Sequence, residues 1–188
     1  MKSYIKFCLI SFVVVTAMIL GSQPAFAAKN SKKTDKQTKK AEKTMMEIKL
    51  ATGTVKIELY PQDAPKTVAQ ITRLANSGFY NGLKFHRVEP GFVVQGGDPT
   101  GTGGGGSGTK LPAEFNARKH LKGTVAMART SDPNSADCQF YICLGPAPFL
   151  DRQYTVFGQV TEGQELVDKI KVGDLMTEVK VTAPAVAK

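Results

Sequence analysis

The sequence predicts a mainly β fold: a closed eight-stranded antiparallel β-barrel capped by two α-helices. Three observations predict it. Eight short runs rich in β-branched and aromatic residues are separated by turns bearing Gly, Pro and Asn. Only two stretches carry apolar residues at helical spacing. Those two lie far apart in the chain instead of alternating with the strands, so the βαβ order of a parallel sheet does not arise.

Residues 46–51 and 54–60 are β-leaning runs around Thr52-Gly53, which reads as a hairpin. The second run alternates at Val55, Ile57 and Leu59, so one of its faces is expected to be buried. Asp63 precedes Ala64-Pro65, and Val68, Ile71, Leu74 and Ala75 recur at helical spacing before Asn76-Ser77-Gly78, predicting a capped amphipathic helix. Further strands are predicted at 83–88, 92–96, 124–128, 139–144, 155–160 and 177–182. Thr161 and Gln164 have the spacing of a capping box ahead of Leu166, Val167 and Ile170, which predicts the second helix.

The chain divides into three parts. Residues 1–27 have the grammar of a secretory signal: Lys2 and Lys6, an apolar run from Phe7 to Leu20, then Ala25-Phe26-Ala27 as a peptidase site with cleavage after Ala27. The apolar run is shorter than the roughly 20 residues a bilayer crossing needs. An exported protein, periplasmic and with no stable membrane insertion once the signal is gone, is therefore expected. Residues 28–44 form a Lys-rich linker; positions 29–44 hold seven lysines, one Asp and one Glu, with no aromatic or branched aliphatic side chain to build a core. Residues 45–188 form the folded domain, long enough for one hydrophobic core.

The charge follows the same division. The whole chain has a formal net charge of +9, but residues 45–188 carry 16 Lys plus Arg against 14 Asp plus Glu. The basic character thus belongs to the leader and linker, and the domain has no footprint for nucleic acid. The linker is expected to be a solvated tether, with attachment to anionic envelope polymers as its rival reading. A monomer is expected.

Cys8 leaves with the signal. Cys138 and Cys143 lie five apart in a strand-like run, so they should point to opposite faces and stay unbridged, because five strand steps span about 16 Å against a disulfide limit near 7 Å. His86 and His120, without a Cys-x-x-Cys pair, form no metal set, and neither a metal nor another cofactor is expected. Residues 101–108 contain six glycines. Gly101-x-Gly103-x-x-Gly106 matches a dinucleotide pattern, but it lacks the strand and helix that would frame one and no Gly-Lys-Ser/Thr follows, so a flexible surface loop is the reading.

The stretch that carries chemistry runs Phe85-His86-Arg87-Val88-Glu89-Pro90-Gly91-Phe92-Val93-Val94-Gln95-Gly96-Gly97-Asp98. Folded as two neighbouring strands, it lets Arg87, Phe92 and Gln95 converge on one surface. Downstream stand Met127-Ala128-Arg129, Cys138-Gln139-Phe140-Tyr141-Ile142, Phe149-Leu150-Asp151, Tyr154 and Val156-Phe157-Gly158. In these motifs and their order the sequence closely resembles the cyclophilin family of peptidyl-prolyl isomerases, from about Met46 to Thr182. The resemblance implies a barrel that catalyses rotation about X-Pro bonds in proline-containing segments of unfolded or exported proteins, without a cofactor. It implies Arg87 as the catalytic arginine, Gln95 as its orienting partner, and Phe92, Val93, Tyr141 and Leu150 as the proline pocket. Gln139 and the backbone at Ala128 and Arg129 would hold the peptide, with Gly101 and Thr102 near the groove and Phe149 and Tyr154 at its wall.

Several positions depart from the family pattern. Val93 stands where many relatives have Met, Arg129 where many have Asn, Tyr141 where the pocket usually has Phe, Phe149 where eukaryotic forms often have Trp, and Tyr154 where they often have His. Tyr141 brings a hydroxyl to a pocket that must be dry. Phe149 removes an indole N-H, so weak cyclosporin binding is expected. The rival function from another class is a non-catalytic chaperone or scaffold that holds proline-containing segments in the same groove. Acyl transfer is disfavoured, since there is no Gly-x-Ser-x-Gly elbow.

Overall fold

The computed structural model describes residues 43–183. The predicted signal and, apart from Lys43 and Thr44, the predicted linker lie outside the described residues.

All eight predicted strands form: β1 (Met45–Leu50), β2 (Gly53–Leu59), β3 (Arg87–Glu89), β4 (Val93–Gly96), β5 (Thr124–Met127), β6 (Phe140–Cys143), β7 (Val156–Glu162) and β8 (Glu178–Thr182). They make one antiparallel sheet in the order β3-β4-β6-β5-β7-β2-β1-β8. The helices are α1 (Pro65–Asn76) and a single turn, α2 (Gln164–Val167). Short 3-10 turns occur at Pro133–Ser135 and Pro148–Leu150. Among the described residues no helix is long and apolar enough to cross a membrane.

The predicted closure of the barrel is corrected. The sheet is an open, curled one whose edge strands β3 and β8 do not pair with each other. The two edges approach only through the segments that precede them, at a Lys84–Leu175 bridge flanked by Phe85 N–H to Asp174 O and Met176 N–H to Leu83 O, both 2.9 Å. The free edge of β8 is satisfied by side chains instead. Asn76 Oδ1 accepts from Val181 N–H at 2.9 Å, Asn76 Nδ2 donates to Val181 O at 3.1 Å, and Asn81 Oδ1 accepts from Val179 N–H at 2.9 Å. The end of α1 and the turn after it therefore cover the edge that an eighth, closing ladder would have used. β3 is shorter than predicted: residues 83–85 bond to that seam, and only His86, whose N–H donates to Gln95 O at 3.1 Å, continues the pairing with β4.

Both helix caps differ from the sequence expectation. At α1 the N-cap is Ala64 and no side chain caps it locally. Asp63 is engaged by Arg118 at 2.8 Å, and the Glu114 carboxylate, 47 residues or more away, accepts from Lys66 N–H at 2.9 Å and Thr67 N–H at 2.8 Å. At α2 the N-cap is Gly163, with φ of 84°, a left-handed conformation that Gly adopts without steric cost. Thr161 is still in β7, where its hydroxyl donates to Lys56 O, and so it is not free to cap.

The pleat separates two apolar clusters. Along β4, β5, β6 and β7, Val94, Val125, Met127, Phe140, Ile142 and Phe157 face the interior with the buried face of α1. The alternate residues Val93, Ala126, Tyr141, Cys143 and Val156 form a second cluster on the opposite face. Both faces of these strands are covered, which is why β5 and β6 are buried at every position. Each fully buried Val, Ile or Phe contributes about 1.5–3 kcal/mol. Cys138 belongs to the first cluster and Cys143 to the second, both as free thiols, as the spacing predicted. Burial, reinforced by Asp137 beside Cys138 and Asp151 beside Cys143, pushes each thiol up to about 12.

Candidate active site

Register places the chemistry on the second face. Arg87 of β3 stands opposite Gln95 of β4, Gln95 opposite Tyr141 of β6, Tyr141 opposite Ala126 of β5, and Ala126 opposite Val156 of β7. Directly opposed residues in an antiparallel ladder present their side chains to one face. A single row thus runs from a cation at the sheet edge to an apolar centre.

Around that row Phe92, Ala128, Leu150 and Tyr154 pack onto the second cluster and complete an apolar surface with Val93 and Tyr141. Phe149 stacks on Phe92 with ring centroids 5.6 Å apart, yet remains 63% exposed, so it forms a rim. The Arg87 guanidinium carbon lies 6.0 Å from the Phe92 ring centroid, and its Nε is 3.4 Å from Glu89 Oε1.

A hydrogen-bonded chain fixes the cation. Arg87 Nη1 donates to Gln95 Oε1 at 3.3 Å, Gln95 Nε2 donates to Gln139 Oε1 at 3.0 Å, and Gln139 Nε2 donates to Gly103 O at 3.0 Å and Gly105 O at 2.8 Å. Each amide turns its oxygen toward the donor before it, so the chain has one direction from the glycine-rich segment to Arg87.

That segment is not the flexible loop expected from its composition. Two carboxylates pin it. Asp98 accepts from Thr100 N–H, the Thr100 hydroxyl, Thr102 N–H and Gly103 N–H. Asp137 accepts from Ser107 N–H, the Ser107 hydroxyl and Gly108 N–H. Burial alone would raise the Asp98 carboxyl, but the Thr100 amide and hydroxyl with the Gly105 and Gly103 amides overrule it and hold it below the ordinary carboxylate range. The glycines are explained by close approach: a Cβ at Gly105 would collide with Asp98 Oδ1, and one at Gly106 would lie 2.7 Å from Asp137 Oδ2.

On the far side of Gln95 from Arg87, a polar cavity of about 150 Å³ is lined by Gln95, Gly103, Gly104, Lys110, Arg129 and Gln139, among others. Gly101 lies elsewhere, against Lys84, and lines a different recess. Thr102 is exposed and serves the loop itself, through its amide on Asp98 and its hydroxyl on Thr100. Ala128 N–H donates to Gln139 O at 2.9 Å, tying the end of β5 to the groove. Arg129 does not reach outward. Its Nε and Nη2 donate to Gln153 O, Nη1 donates to Thr130 O at 2.8 Å, and its guanidinium carbon sits 4.5 Å from the Tyr154 ring centroid.

The hydroxyl of Tyr141 points into the protein, 3.0 Å from His120 Nε2, so the ring meets the surface without its polar end. Burial pushes the phenol well above its ordinary range. Thus Arg87, Phe92, Val93, Gln95, Ala128, Gln139, Tyr141, Leu150 and Tyr154 are brought together, with Phe149 at the rim. The sequence reading missed Asp98, Asp137 and Gly103 to Gly105, and had no role for His120. Asp98 and Asp137 carry no local signal, since most of their partners are backbone amides of a segment the composition marks only as loose. Among the described residues no group of three or more His, Cys, Asp or Glu side chains could hold a metal.

Known proteins point the same way. The family model described as cyclophilin type peptidyl-prolyl cis-trans isomerase/CLD matches residues 44–187. A peptidyl-prolyl cis-trans isomerase of Synechococcus elongatus is 45% identical over 135 residues, 71% of this chain and 92% of that protein. Peptidyl-prolyl cis-trans isomerase B of Bacillus subtilis is 48% identical over 129 residues, 68% of this chain and 90% of that one. A Cryptosporidium parvum cyclophilin type isomerase, solved in the presence of the dipeptide Ala-Pro, superposes with a TM-score of 0.69 at 28% identity, covering 74% of this chain and 99% of that one. With the strand order, the arginine at the edge of an apolar face and these likenesses in agreement, the chain belongs to the cyclophilin family of peptidyl-prolyl cis-trans isomerases.

Proposed function

We propose that isomerisation takes place on the face bounded by Arg87, with the proline ring seated on Phe92, Val93, Tyr141 and Leu150 and the peptide held along Ala128 and Gln139. The observation that carries this reading is the directed chain from Gln139 through Gln95 to Arg87, which ends beside an apolar surface. A prolyl bond resists rotation by about 18–20 kcal/mol because the nitrogen lone pair is delocalised into the carbonyl, and it flips unaided in tens to hundreds of seconds. No covalent bond is made or broken. Rotation out of plane localises the lone pair on the prolyl nitrogen, so a cation that donates to that nitrogen, or to the carbonyl beside it, stabilises the twisted state more than the planar one. Arg suits the task because it stays charged and holds its donors in a rigid plane.

Arg87 does not account for the whole effect. A millionfold acceleration requires about 8 kcal/mol, and one preorganised donor supplies roughly 3–4. The apolar seat contributes the remainder by excluding water, which strengthens the cation, and by fixing the ring while the preceding residue turns. The ligand class is a proline-containing peptide segment, a reading supported by the Ala-Pro dipeptide present with the Cryptosporidium relative.

The signal grammar of residues 1–27 supports action outside the cytoplasmic membrane, in the periplasm, on newly exported chains. Mass measurement of the protein recovered from fractionated cells tests this: the expected N-terminus is Ala28, and an unprocessed cytoplasmic chain would overturn it. The test of the site is cis-trans exchange of a short X-Pro peptide followed by NMR. Arg87→Ala is expected to lose about a hundredfold to a thousandfold in kcat/KM with the fold intact. A loss under threefold would make Arg87 structural, and no acceleration by the unaltered protein would leave only peptide holding.

A further inference from the structure

His120 is 1% exposed and lies behind the apolar seat, where it joins the two elements that make it. Its Nε2 lies 3.0 Å from the Tyr141 hydroxyl, and its ring stacks near that of Tyr141 with centroids 6.1 Å apart. Its Nδ1 lies 3.1 Å from Asp151 Oδ1, which also accepts the His120 backbone N–H at 2.9 Å. Its carbonyl accepts from Ala147 N–H at 2.8 Å, just before the 148–150 turn that carries Phe149 and Leu150. Lys119 closes the chain, 3.0 Å from Asp151 Oδ2.

Proton placement follows from these contacts. The His120 amide and then Lys119 hold the Asp151 carboxyl down to about 2, so at neutral pH it can only accept. His120 must therefore donate through Nδ1, and burial keeps the imidazole neutral. Its Nε2 is then left as an acceptor, and the Tyr141 hydroxyl must donate to it. A phenylalanine at 141 could not make this bond. The position that departs from the family pattern is thus the one that ties the floor of the seat to its wall.

We propose that His120 is a positioning residue, which through Tyr141 on one side and Asp151 with the 148–150 turn on the other holds the proline seat in a single shape. This rests on the function proposed above. The seat grips the ring before and during rotation, so loosening it weakens binding in both states and raises KM more than it lowers kcat.

The experiment compares the unaltered protein with Tyr141→Phe, His120→Leu and the double variant, measuring peptide Kd by NMR titration and kcat and KM by exchange. Tyr141→Phe is expected to raise Kd and KM threefold to tenfold with kcat within twofold. His120→Leu should do the same, and the double variant should be no worse than the weaker single one, because both changes break the same link. Unchanged Kd in a folded Tyr141→Phe protein, or losses that multiply in the double variant, would overturn the proposal. If His120→Leu does not fold, the Kd of Tyr141→Phe decides alone: a lowered melting temperature with unaltered Kd marks the chain as merely structural. If no variant and not even the unaltered protein accelerates exchange, the enzymatic reading fails separately, and the Kd values still decide the positioning role.

Discussion

Arg87 and Gln95 face each other across the first ladder of the sheet, and the guanidinium donates to the amide oxygen at 3.3 Å. With its Nε near Glu89 Oε1 as well, Arg87 is held from two sides while remaining accessible at the sheet edge. Gln95→Ala removes one of those restraints and leaves the charge. It is expected to lower kcat about tenfold with KM within about twofold, since an imprecisely aimed donor is felt mainly in the twisted state. Combined with Arg87→Ala it should add almost nothing further. Fully multiplicative losses by NMR exchange would show that Gln95 acts independently of the cation.

The cap supplied to α1 by Glu114 makes a separate prediction. Glu114→Ala leaves two amides of the first turn without acceptors and should cost about 1–2 kcal/mol of stability, seen as a lower denaturant midpoint. The kcat/KM of the remaining folded protein should not change, because α1 packs on the face of the sheet opposite the site. Asp63→Ala should be milder, since its carboxylate meets only the partly exposed Arg118.

These two cases show what the sequence makes legible. Alternation at Val55, Ile57 and Leu59, and at the paired positions of β4 to β7, marks the strands because burial is decided residue by residue along the pleat. The convergence of Arg87, Phe92 and Gln95 was legible because they lie within nine residues on one hairpin. Caps and edges were not. Asp63 and Thr161 have the right local spacing, but Arg118 claims one and the β7 ladder with Lys56 O claims the other. The closure of the sheet failed for the same reason, since Asn76 and Asn81 satisfy the β8 edge from over 95 residues away. Likewise, the glycine run reads as loose until Asp98 and Asp137 are seen to hold its amides.

At the rim, Phe149 offers area without a donor. Its stacking on Phe92 is available to an apolar ligand, but the hydrogen bond that an indole N–H would give is absent. Cyclosporin is therefore expected to bind weakly, and Phe149→Trp should tighten it by about tenfold, the worth of one net hydrogen bond. Calorimetric titration checks this. A submicromolar Kd for the unaltered protein, or no gain in the Trp variant, would remove the donor from the explanation.

His120 gives the protein a pH dependence whose sign can be worked out. Burial lowers its folded pKa below the ordinary value of 6.5, outweighing the Asp151 carboxylate that raises it. The other groups facing it are Lys119 across Asp151 and the Tyr141 phenol, which burial pushes up and so keeps neutral. In the unfolded chain the imidazole takes up its proton near the ordinary value, and in the folded chain only at lower pH. Its contribution to stability is therefore complete above about pH 6.5 and is lost as pH falls through that value toward the folded pKa. His86, whose pKa is also lowered chiefly by burial, acts in the same direction. The melting temperature should fall between pH 7 and pH 5, and the His120 ring resonances should titrate with a midpoint below 6.5 while showing the Nδ1–H tautomer at neutral pH. A midpoint above 6.5 would mean that Asp151 outweighs desolvation, and one well above about 7 would leave the imidazole charged at neutral pH, its Nε2 a donor to Tyr141 instead of the acceptor.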